Sequence, residues 1–447
     1  MPTNTLKRSM YNIIVDQLSE GEVLLFNSSS CAFGVMDKKA QMLYDKIDEI
    51  TDISTLDEED QKNLNVLAQN GFFVPHDTDE FKLLNIIGNV KRHSTSGLNI
   101  TLAPTTDCNM ACPYCYEKNT KRRMGPEIIA AVVNFIKSYC ENNRPTTVTL
   151  IWYGGEPLLE LDTIQTVSEQ VVQLCQEKNI DYNSSIVTNG VLLTRETAII
   201  LKEKCKITSA QITVDGLESV HNRRRILRSG ADSFNSIINN IENIKDVIEV
   251  TIRVNVDKKN IEETGKLIHY FSHEKGWRDD VIFYFAPVDG NINSCVLKEN
   301  TCYSRPEFGK IHAELMRKSY ESGNVKIISK LYPRKSELFC GAITLNTVVV
   351  DPDGYLYTCW NDVGLPEKKI GDVSTGMVMG KNYIDWLSID YPDKCKLCNL
   401  LPICASGCPY HRLRNGNTAE CIYQTLSFKE NLKITYEEYL TSSPAND

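Results

Sequence analysis

The sequence predicts an α/β protein built on a partial (β/α)6 barrel of the TIM type, with a smaller unit on each side. Six apolar or alternating runs between residues 98 and 286 have the length of strands, and a helical pattern separates each run from the next. Strands joined by helices pair in parallel, because each crossover brings the chain back in the same direction. Six repeats instead of eight indicate a barrel that stays open.

The predicted strands are residues 98–104, 147–153, 184–188, 209–215, 248–256 and 281–286. The predicted helices between them are residues 126–142, 162–179, 194–205, 232–245 and 260–275. In barrels of this kind, functional side chains gather at the carboxyl ends of the strands. We therefore expect the site at that end.

The segments before and after the barrel have different patterns. Residues 1–85 contain short β-rich runs, two helical patterns and a last short strand at 72–74. Residues 86–97 are charged and lack a clear period, which indicates a linker. The predicted units are therefore residues 1–85, the linker at 86–97, the barrel at 98–310, a bridging helical region at 311–335 and a cysteine-rich unit at 336–447.

The composition of the 447 residues limits the classes of function. The net charge of -9 disfavours nucleic acid as a partner, and no apolar run is long enough to cross a membrane. The first residues lack the apolar core of a signal peptide, so we expect a cytoplasmic location. Sixteen cysteines in a reducing compartment indicate metal rather than disulfides.

Three cysteines directly after the first predicted strand have the spacing CxxxCxxC, and they are Cys108, Cys112 and Cys115. Three thiolates on one loop can hold three irons of a 4Fe-4S cubane, which normally takes four protein sulfurs, so one iron is left open. A zinc site would normally need a fourth protein ligand, and no His or Cys stands nearby at the usual spacing. The odd number also argues against disulfides.

This spacing, with Tyr114 before the third cysteine, resembles the signature of the radical S-adenosylmethionine (radical SAM) enzymes. The resemblance implies that the open iron binds S-adenosylmethionine (AdoMet). It also implies that an electron from the cluster cleaves AdoMet and releases a 5'-deoxyadenosyl radical. Cys108, Cys112 and Cys115 are then the catalytic cluster ligands.

The resemblance assigns AdoMet contacts at the ends of the later strands. The second strand is followed by the segment that binds the AdoMet amino group in the family, which here is Gly154, Gly155, Glu156 and Pro157. Residues implied to contact the ribose and methionyl parts are Thr188, Asn189 and Asp215. The glycines would let the backbone approach the ligand closely.

Arg225, four residues after His221, is implied to pair with the AdoMet carboxylate. The family usually has DGP and HD segments here, whereas this chain has Leu217 and Asn222. Val254 and Asn255, in the fifth strand, are implied to form a wall against the cofactor. The alternative for that pair is a strand core residue and a turn cap, and His221 is predicted to be structural.

Seven further cysteines follow the barrel in the order Cx13Gx4C, Cx2Cx5Cx3C and C. Zinc is an alternative for paired CxxC ligands. The order resembles the SPASM extension, which holds two auxiliary 4Fe-4S clusters and brings the expected total to three. The resemblance assigns an outer set, Cys395, Cys398, Cys404 and Cys421, and an inner set, Cys340, Cys359 and Cys408.

The inner set is one ligand short of the four that a cubane takes. Either Cys295 or Cys302 supplies that ligand, or one iron of the inner cluster stays open. An open iron could bind a substrate thiolate, because thiolate is the form that ligates metal.

Residues 1–85 resemble the winged-helix domain that binds leader peptides in many peptide-modifying radical enzymes, with a structural cap as the alternative. Together the resemblances imply a radical SAM oxidoreductase that forms thioether crosslinks, from cysteine sulfur to carbon, in a ribosomally synthesised precursor peptide with a leader. An electron donor such as flavodoxin or ferredoxin is expected. The alternatives are carbon-carbon crosslinking, a scaffold without catalysis, and sulfatase-maturase-like formylglycine formation, which is disfavoured because Trp360 follows Cys359 where those relatives have an aspartate.

Overall fold

The computed structural model describes residues 5–18, 21–50, 53–117, 120–278, 280–289, 301–324, 331–336, 338 and 340–442. Residues 5–75 form the amino-terminal unit, with two small sheets and two helices. Its elements are β1 (Leu6–Arg8), β2 (Asn12–Gln17), β3 (Val23–Asn27), β4 (Phe33–Met36), α1 (Lys38–Lys46), α2 (Glu58–Gln69) and β5 (Phe73–Pro75). Asp37 and Asp57 cap the two helices by accepting hydrogen bonds from the backbone N–H groups of Ala40 and Asp60.

The pairing of these strands leaves β4 at the edge of its sheet. β3 lies between β2 and β4 in an antiparallel sheet, and β1 pairs with β5 separately. The elements from β2 to β5 follow the order expected from the sequence, whereas β1 was not predicted.

The predicted linker at 86–97 instead overlaps a helix, α3 (Glu80–Arg92). Asp79 caps its start by accepting a hydrogen bond from the Lys82 N–H group. Leu84, Gly88 and Arg92 are buried at intervals of four residues. This period was hard to recognise in the sequence, because two of the three buried positions are not apolar side chains.

Six parallel strands follow, in the predicted order, and form one side of a ten-stranded sheet, with the sixth strand at its edge. They are β6 (Gly97–Leu102), β7 (Thr147–Trp152), β8 (Asp181–Thr188), β9 (Ile207–Thr213), β10 (Glu249–Val256) and β11 (Val281–Pro287). Alternate strand residues are fully buried in the main core, as in the pattern of β10. The residues between them lie on the opposite face, which we call the inner face.

The helices of this region cover the other face of the sheet. They are α4 (Pro126–Asn143), α5 (Leu161–Lys178), α6 (Arg195–Glu203), α7 (Glu218–Arg224), α8 (Ser233–Ile244) and α9 (Ile261–His269), which a π-helical turn (Tyr270–Glu274) extends. Their apolar sides join the strands in one core that includes Val132, Ile164 and Ile241. The mixed α/β fold with a large parallel sheet is confirmed.

The carboxyl-terminal part adds a strand that was not predicted. β12 (Thr347–Val350) pairs with β6 in parallel and so lengthens the sheet on that side. The antiparallel strands that follow are β13 (Tyr355–Tyr357), β14 (Gly371–Asp372) and β15 (Gly376–Met377). The remaining helices are α10 (Arg305–Glu321), α11 (Lys381–Leu387), α12 (Asp393–Lys396), α13 (Leu401–Cys404), α14 (Pro409–Arg414) and α15 (Gln424–Ser442).

None of the helices within the described ranges combines the length and the apolar character that crossing a bilayer requires.

His312 gives the packing of α10 on α15 a pH dependence. Its Nδ1 lies 2.9 Å from the Ser427 hydroxyl, and burial lowers the pKa of His312 to about 4. The unfolded chain therefore takes up a proton near pH 6.5 that the folded protein takes up only near pH 4. We therefore expect this group to lower the free energy of unfolding by about 2 kcal/mol when the pH falls from 7.5 to 5.

Urea titrations at the two pH values measure this contribution. His312→Gln should reduce the difference by about 2 kcal/mol, whereas His76→Gln, on an exposed side chain, should leave it unchanged. An equal pH dependence in the His312 variant and the parent protein would contradict the assignment.

Candidate active site and cysteine sets

The loop with the first three cysteines is held at the carboxyl end of β6 by a segment after α7. Met110 forms an antiparallel bridge with Leu227. The backbone N–H of Arg228 donates to the Asn109 carbonyl, and its Nε donates to the Cys108 carbonyl, each at 2.9 Å. The role of Arg228 in fixing the cysteine loop depends on a contact with a residue 120 positions away in the sequence.

The turn after β7 packs directly on the same loop. The Gly155 N–H donates to the Thr105 carbonyl at 3.1 Å, and the Glu156 N–H donates to the Asp107 carbonyl at 2.8 Å. A Cβ atom added to Gly155 would collide with the Asp107 carbonyl, and one added to Gly154 would lie 2.5 Å from the Thr105 carbonyl. The two glycines are therefore required for this close approach.

The Glu156 side chain joins the ends of β7 and β8. Its carboxylate accepts hydrogen bonds from the Thr188 hydroxyl at 2.7 Å, the Asn189 N–H at 2.8 Å and the Leu158 N–H at 3.1 Å. Burial raises the pKa of Glu156, and the three donors oppose that rise. Since this carboxylate already accepts three hydrogen bonds, the predicted contact of residues 154–157 with AdoMet would be made by their backbone groups.

Tyr114, Asp215, Arg225 and Asn255 come together at the ends of β9 and β10. Asp215 accepts a short hydrogen bond from the Tyr114 hydroxyl and a second from the Asn255 N–H at 2.9 Å. Arg225 donates through Nη1 to the Tyr114 hydroxyl at 3.2 Å. Its Nε is buried and has no acceptor among the described residues.

Two of the predicted contacts have other surroundings. Val254 is fully buried in the main core, so its side chain lies on the helix-covered face and only its backbone could line the site. Pro157 is buried at the start of a short 3-10 helix, Pro157–Glu160. His221 is also buried, and burial lowers its pKa to about 3, which agrees with a structural histidine.

The donor groups suit the predicted cofactors. Burial raises the pKa of Cys108 to about 12 and also raises that of Cys112, which the Arg225 guanidinium opposes. Thiols of this kind lose their protons on binding metal, and the open Nε of Arg225 can donate to a carboxylate. When bound, a 4Fe-4S cluster at the three cysteines would supply the electron that cleaves AdoMet.

The predicted inner cysteines lie together in one small core. Cys340, Cys359 and Cys408 pack against Ile343 and Tyr410. Burial raises the pKa of Cys359, and Cys340 and Cys408 add to the rise. The structure thus brings these three thiols into one neighbourhood.

The predicted outer cysteines line one cavity. Cys395, Cys398, Cys404 and Cys421 surround it together with Leu401 and Thr425. In the described ranges, no three His, Cys, Asp or Glu side chains converge on a point as the ligands of one metal ion would. The cysteines of a cubane each bind a different iron and so surround a larger core.

The amino-terminal unit packs on the outer cysteine set. The Ser28 hydroxyl donates to the Asn399 carbonyl, and Asn399 Nδ2 donates to the Asn12 carbonyl at 3.3 Å. Phe26 of β3 packs in one apolar cluster with Phe428 of α15. This contact was not predicted from the sequence.

Tyr153 lies between the first cysteine loop and the inner set. Its ring packs against Trp360 in a tilted arrangement, with 4.5 Å between the centroids and 40° between the planes, and its hydroxyl contacts that of Tyr116. Burial raises the pKa of Tyr153, Cys115 and Cys359 add to the rise, and Arg253 opposes it. The contact between Tyr153 and Trp360 was not predicted from the sequence, although Tyr153 directly precedes Gly154 and Trp360 directly follows Cys359.

The eighth auxiliary ligand stays a prediction. Cys295 lies outside the described residues. Cys302 precedes α10, beside Thr301, whose carbonyl accepts a hydrogen bond from the Lys258 N–H at 2.9 Å.

Comparison with known proteins identifies the central domain. Residues 102–271 match the Radical SAM superfamily. A cysteine-type anaerobic sulfatase-maturating enzyme from Clostridium novyi (strain NT) is 25% identical over 375 residues, which cover 76% of this chain and 96% of the relative. A serine-type anaerobic sulfatase-maturating enzyme from Klebsiella aerogenes is 21% identical over 335 residues, which cover 70% of this chain and 80% of the relative.

Two solved structures share the fold. Native anSMEcpe with bound AdoMet has a TM-score of 0.62 at 21% identity and covers 77% of this chain and 98% of its own. Streptococcus suis SuiB bound to the precursor peptide SuiA has a TM-score of 0.53 at 16% identity and covers 95% of this chain and 100% of its own. The predicted α/β fold is thus shared with these two structures, and the match to the Radical SAM superfamily covers residues 102–271.

Proposed function

We propose that this protein is a radical SAM peptide maturase that forms thioether crosslinks, from cysteine sulfur to carbon, in a ribosomally synthesised precursor peptide. It would use three 4Fe-4S clusters and AdoMet, and would act in the cytoplasm with flavodoxin or ferredoxin as electron donor. Relatives named as sulfatase-maturating enzymes and the fold shared with SuiB support a peptide substrate.

The observation that carries the proposal is the inner cysteine set. Cys340, Cys359 and Cys408 share one small core, and Trp360, next to Cys359, packs against Tyr153. A cubane held by three protein thiolates keeps one iron for another ligand. A substrate thiolate bound there would lie beside Tyr153 and thus near the radical source.

The reaction removes two hydrogens from the peptide for each link. The acceptor carbon loses a hydrogen atom to the 5'-deoxyadenosyl radical, and the thiol loses its proton on binding iron. The joining of sulfur and carbon would release one electron, which an iron-sulfur cluster held by the cysteine sets would accept. The aromatic groups of Tyr116, Tyr153 and Trp360 would exclude water from this space.

The amino-terminal unit would bind the leader of the peptide. β4 is an edge strand with half-exposed residues at Phe33 and Gly34 and exposed Val35, so an extended peptide could pair with it. This binding mode follows the winged-helix resemblance of residues 1–85.

Two other radical reactions remain the competing functions. Formylglycine formation is suggested by the names of the relatives. Against it, an aromatic side chain, Trp360, follows Cys359 and packs on Tyr153, and a carboxylate is absent from that position. Carbon-carbon crosslinking would not need a substrate thiol or an open iron.

Mass spectrometry of a cysteine-containing precursor peptide encoded beside this gene tests the proposal. After anaerobic reaction, we expect a loss of two hydrogens per link together with a loss of thiol alkylation. The same mass loss with every thiol still alkylated would mean a carbon-carbon link. Conversion of one cysteine to an aldehyde without a crosslink would mean formylglycine formation, and either result would overturn the thioether proposal.

A further inference from the structure

Arg253 places a positive charge on the inner face of the sheet, near the carboxyl end of β10. In the strand register it lies beside Thr213 of β9 and Tyr284 of β11. Its Nε donates to the Asn255 side-chain oxygen at 2.8 Å. The side chain is half-buried.

No carboxylate in the described part of the chain forms an ion pair with Arg253, although nearby Arg224 pairs with Asp257 at 2.8 Å. A guanidinium that is partly withdrawn from water costs free energy unless an anion or acceptor offsets the loss. The hydrogen bond to Asn255 fixes the plane of the Arg253 guanidinium, and it uses only the Nε hydrogen. Among the described residues no acceptor is bonded to the two terminal nitrogens of Arg253, which can act as the fork that binds a carboxylate through two hydrogen bonds.

Neutral aromatic and amide groups surround this charge. The Tyr284 hydroxyl donates to the Gln211 side-chain oxygen at 2.7 Å. Burial raises the pKa of Tyr423 to about 12, and Arg253 opposes that rise, as it does for Tyr153. The charge of Arg253 therefore acts on Tyr153, the residue that lies between the first cysteine loop and the inner set.

We propose that Arg253 binds a carboxylate of the substrate peptide and so positions the residue to be modified beside Tyr153. The inference rests on the proposed function only in taking a peptide as the substrate. The carboxylate belongs either to an acidic side chain or to the carboxyl terminus of the peptide. The AdoMet carboxylate has a separate candidate partner, because Arg225 has a buried Nε without an acceptor among the described residues.

Binding of fluorescently labelled precursor peptide to the cluster-loaded enzyme, without AdoMet, tests this role. Arg253→Gln should weaken binding about 10- to 100-fold, as expected for hydrogen bonds to a charged group. Arg253→Lys keeps the charge but loses the fork, so its affinity for the peptide should lie between that of the parent enzyme and that of Arg253→Gln. Arg223→Gln, on an exposed side chain beside the site, is the matched control and should bind as the parent does.

A set of peptide variants identifies the group that Arg253 binds. Each Asp is changed to Asn, each Glu to Gln, and the carboxyl terminus to an amide, one at a time. For one of these peptides, the parent enzyme should bind as weakly as the Arg253→Gln enzyme binds the unchanged peptide. The Arg253→Gln enzyme should bind that peptide variant and the unchanged peptide with the same affinity. That coupling distinguishes a side-chain carboxylate from the chain terminus.

Two results would overturn the inference. If Arg253→Gln weakened binding of every peptide variant by the same factor, no single carboxylate would be its partner. If the variant lost affinity for AdoMet and kept its affinity for the peptide, Arg253 would belong to the cofactor site. Coupling in the binding assay without a thioether product would support this inference and contradict the proposed reaction. A thioether product without coupling in the binding assay would support the proposed reaction and contradict this inference.

Discussion

Gly155→Ala is expected to lower AdoMet cleavage at least about 100-fold in a protein that still folds. The added methyl group would collide with the Asp107 carbonyl, which belongs to the backbone and cannot rotate away as a side chain does. The turn after β7 and the loop with Cys108 would have to separate. Displacement of reacting groups by about 1 Å is enough for a loss of this size.

The measurement is the rate of 5'-deoxyadenosine formation after anaerobic reduction, together with the iron content and the circular dichroism spectrum. Gly265→Ala is the matched control, because a Cβ at that helical position meets no atom within 4 Å. The control should keep full activity. Normal cleavage by the Gly155 variant would show that the close approach of the two loops is not required.

Cys340→Ala is expected to separate the two halves of the proposed reaction. The variant should still release 5'-deoxyadenosine, because the first cysteine loop is intact, but it should form no crosslink. The physical reason is that Cys340 lies with Cys359 and Cys408, and two remaining thiols would not hold an inner cluster. We expect the yield of crosslinked peptide to fall by about two orders of magnitude, the amount lost when the sulfur is no longer held near the carbon radical.

Parallel assays of 5'-deoxyadenosine and of peptide mass measure the two halves. Cys140→Ala removes a thiol from the core of α4, far in sequence from the auxiliary sets, and should preserve both products. Full crosslinking by Cys340→Ala would exclude the inner set from the reaction.

Local patterns predicted most of the parallel sheet and the cysteine motifs. Strand β10 and helix α8 follow hydrophobic periods, and CxxxCxxC fixes three ligands by spacing alone. β12 was missed because a run of four residues has no period to recognise, and its strand form depends on pairing with β6. α3 was missed because Gly88 and Arg92 occupy buried positions.

The parts of the site that sequence could not predict all depend on contacts between distant segments. Arg228 contributes to the site through its hydrogen bond to the Cys108 carbonyl, which lies 120 residues away in the sequence. Glu156 was assigned to the cofactor with its whole segment, yet its carboxylate joins two strand ends. The ring contact of Tyr153 with Trp360 connects two segments that are more than 200 residues apart, and nothing local to either residue indicates it.

The packing of the amino-terminal unit on the outer cysteine set limits how such enzymes can be recombined. A unit joined only by a flexible tether could be exchanged for another with a different peptide preference. Here Phe26 shares an apolar cluster with Phe428 and Leu432 of α15, and Ser28 binds the chain between Cys398 and Leu401. An exchanged unit would therefore need a matching α15 and outer cysteine loop, so these distant segments are expected to vary together in evolution and to be transplanted together in engineering.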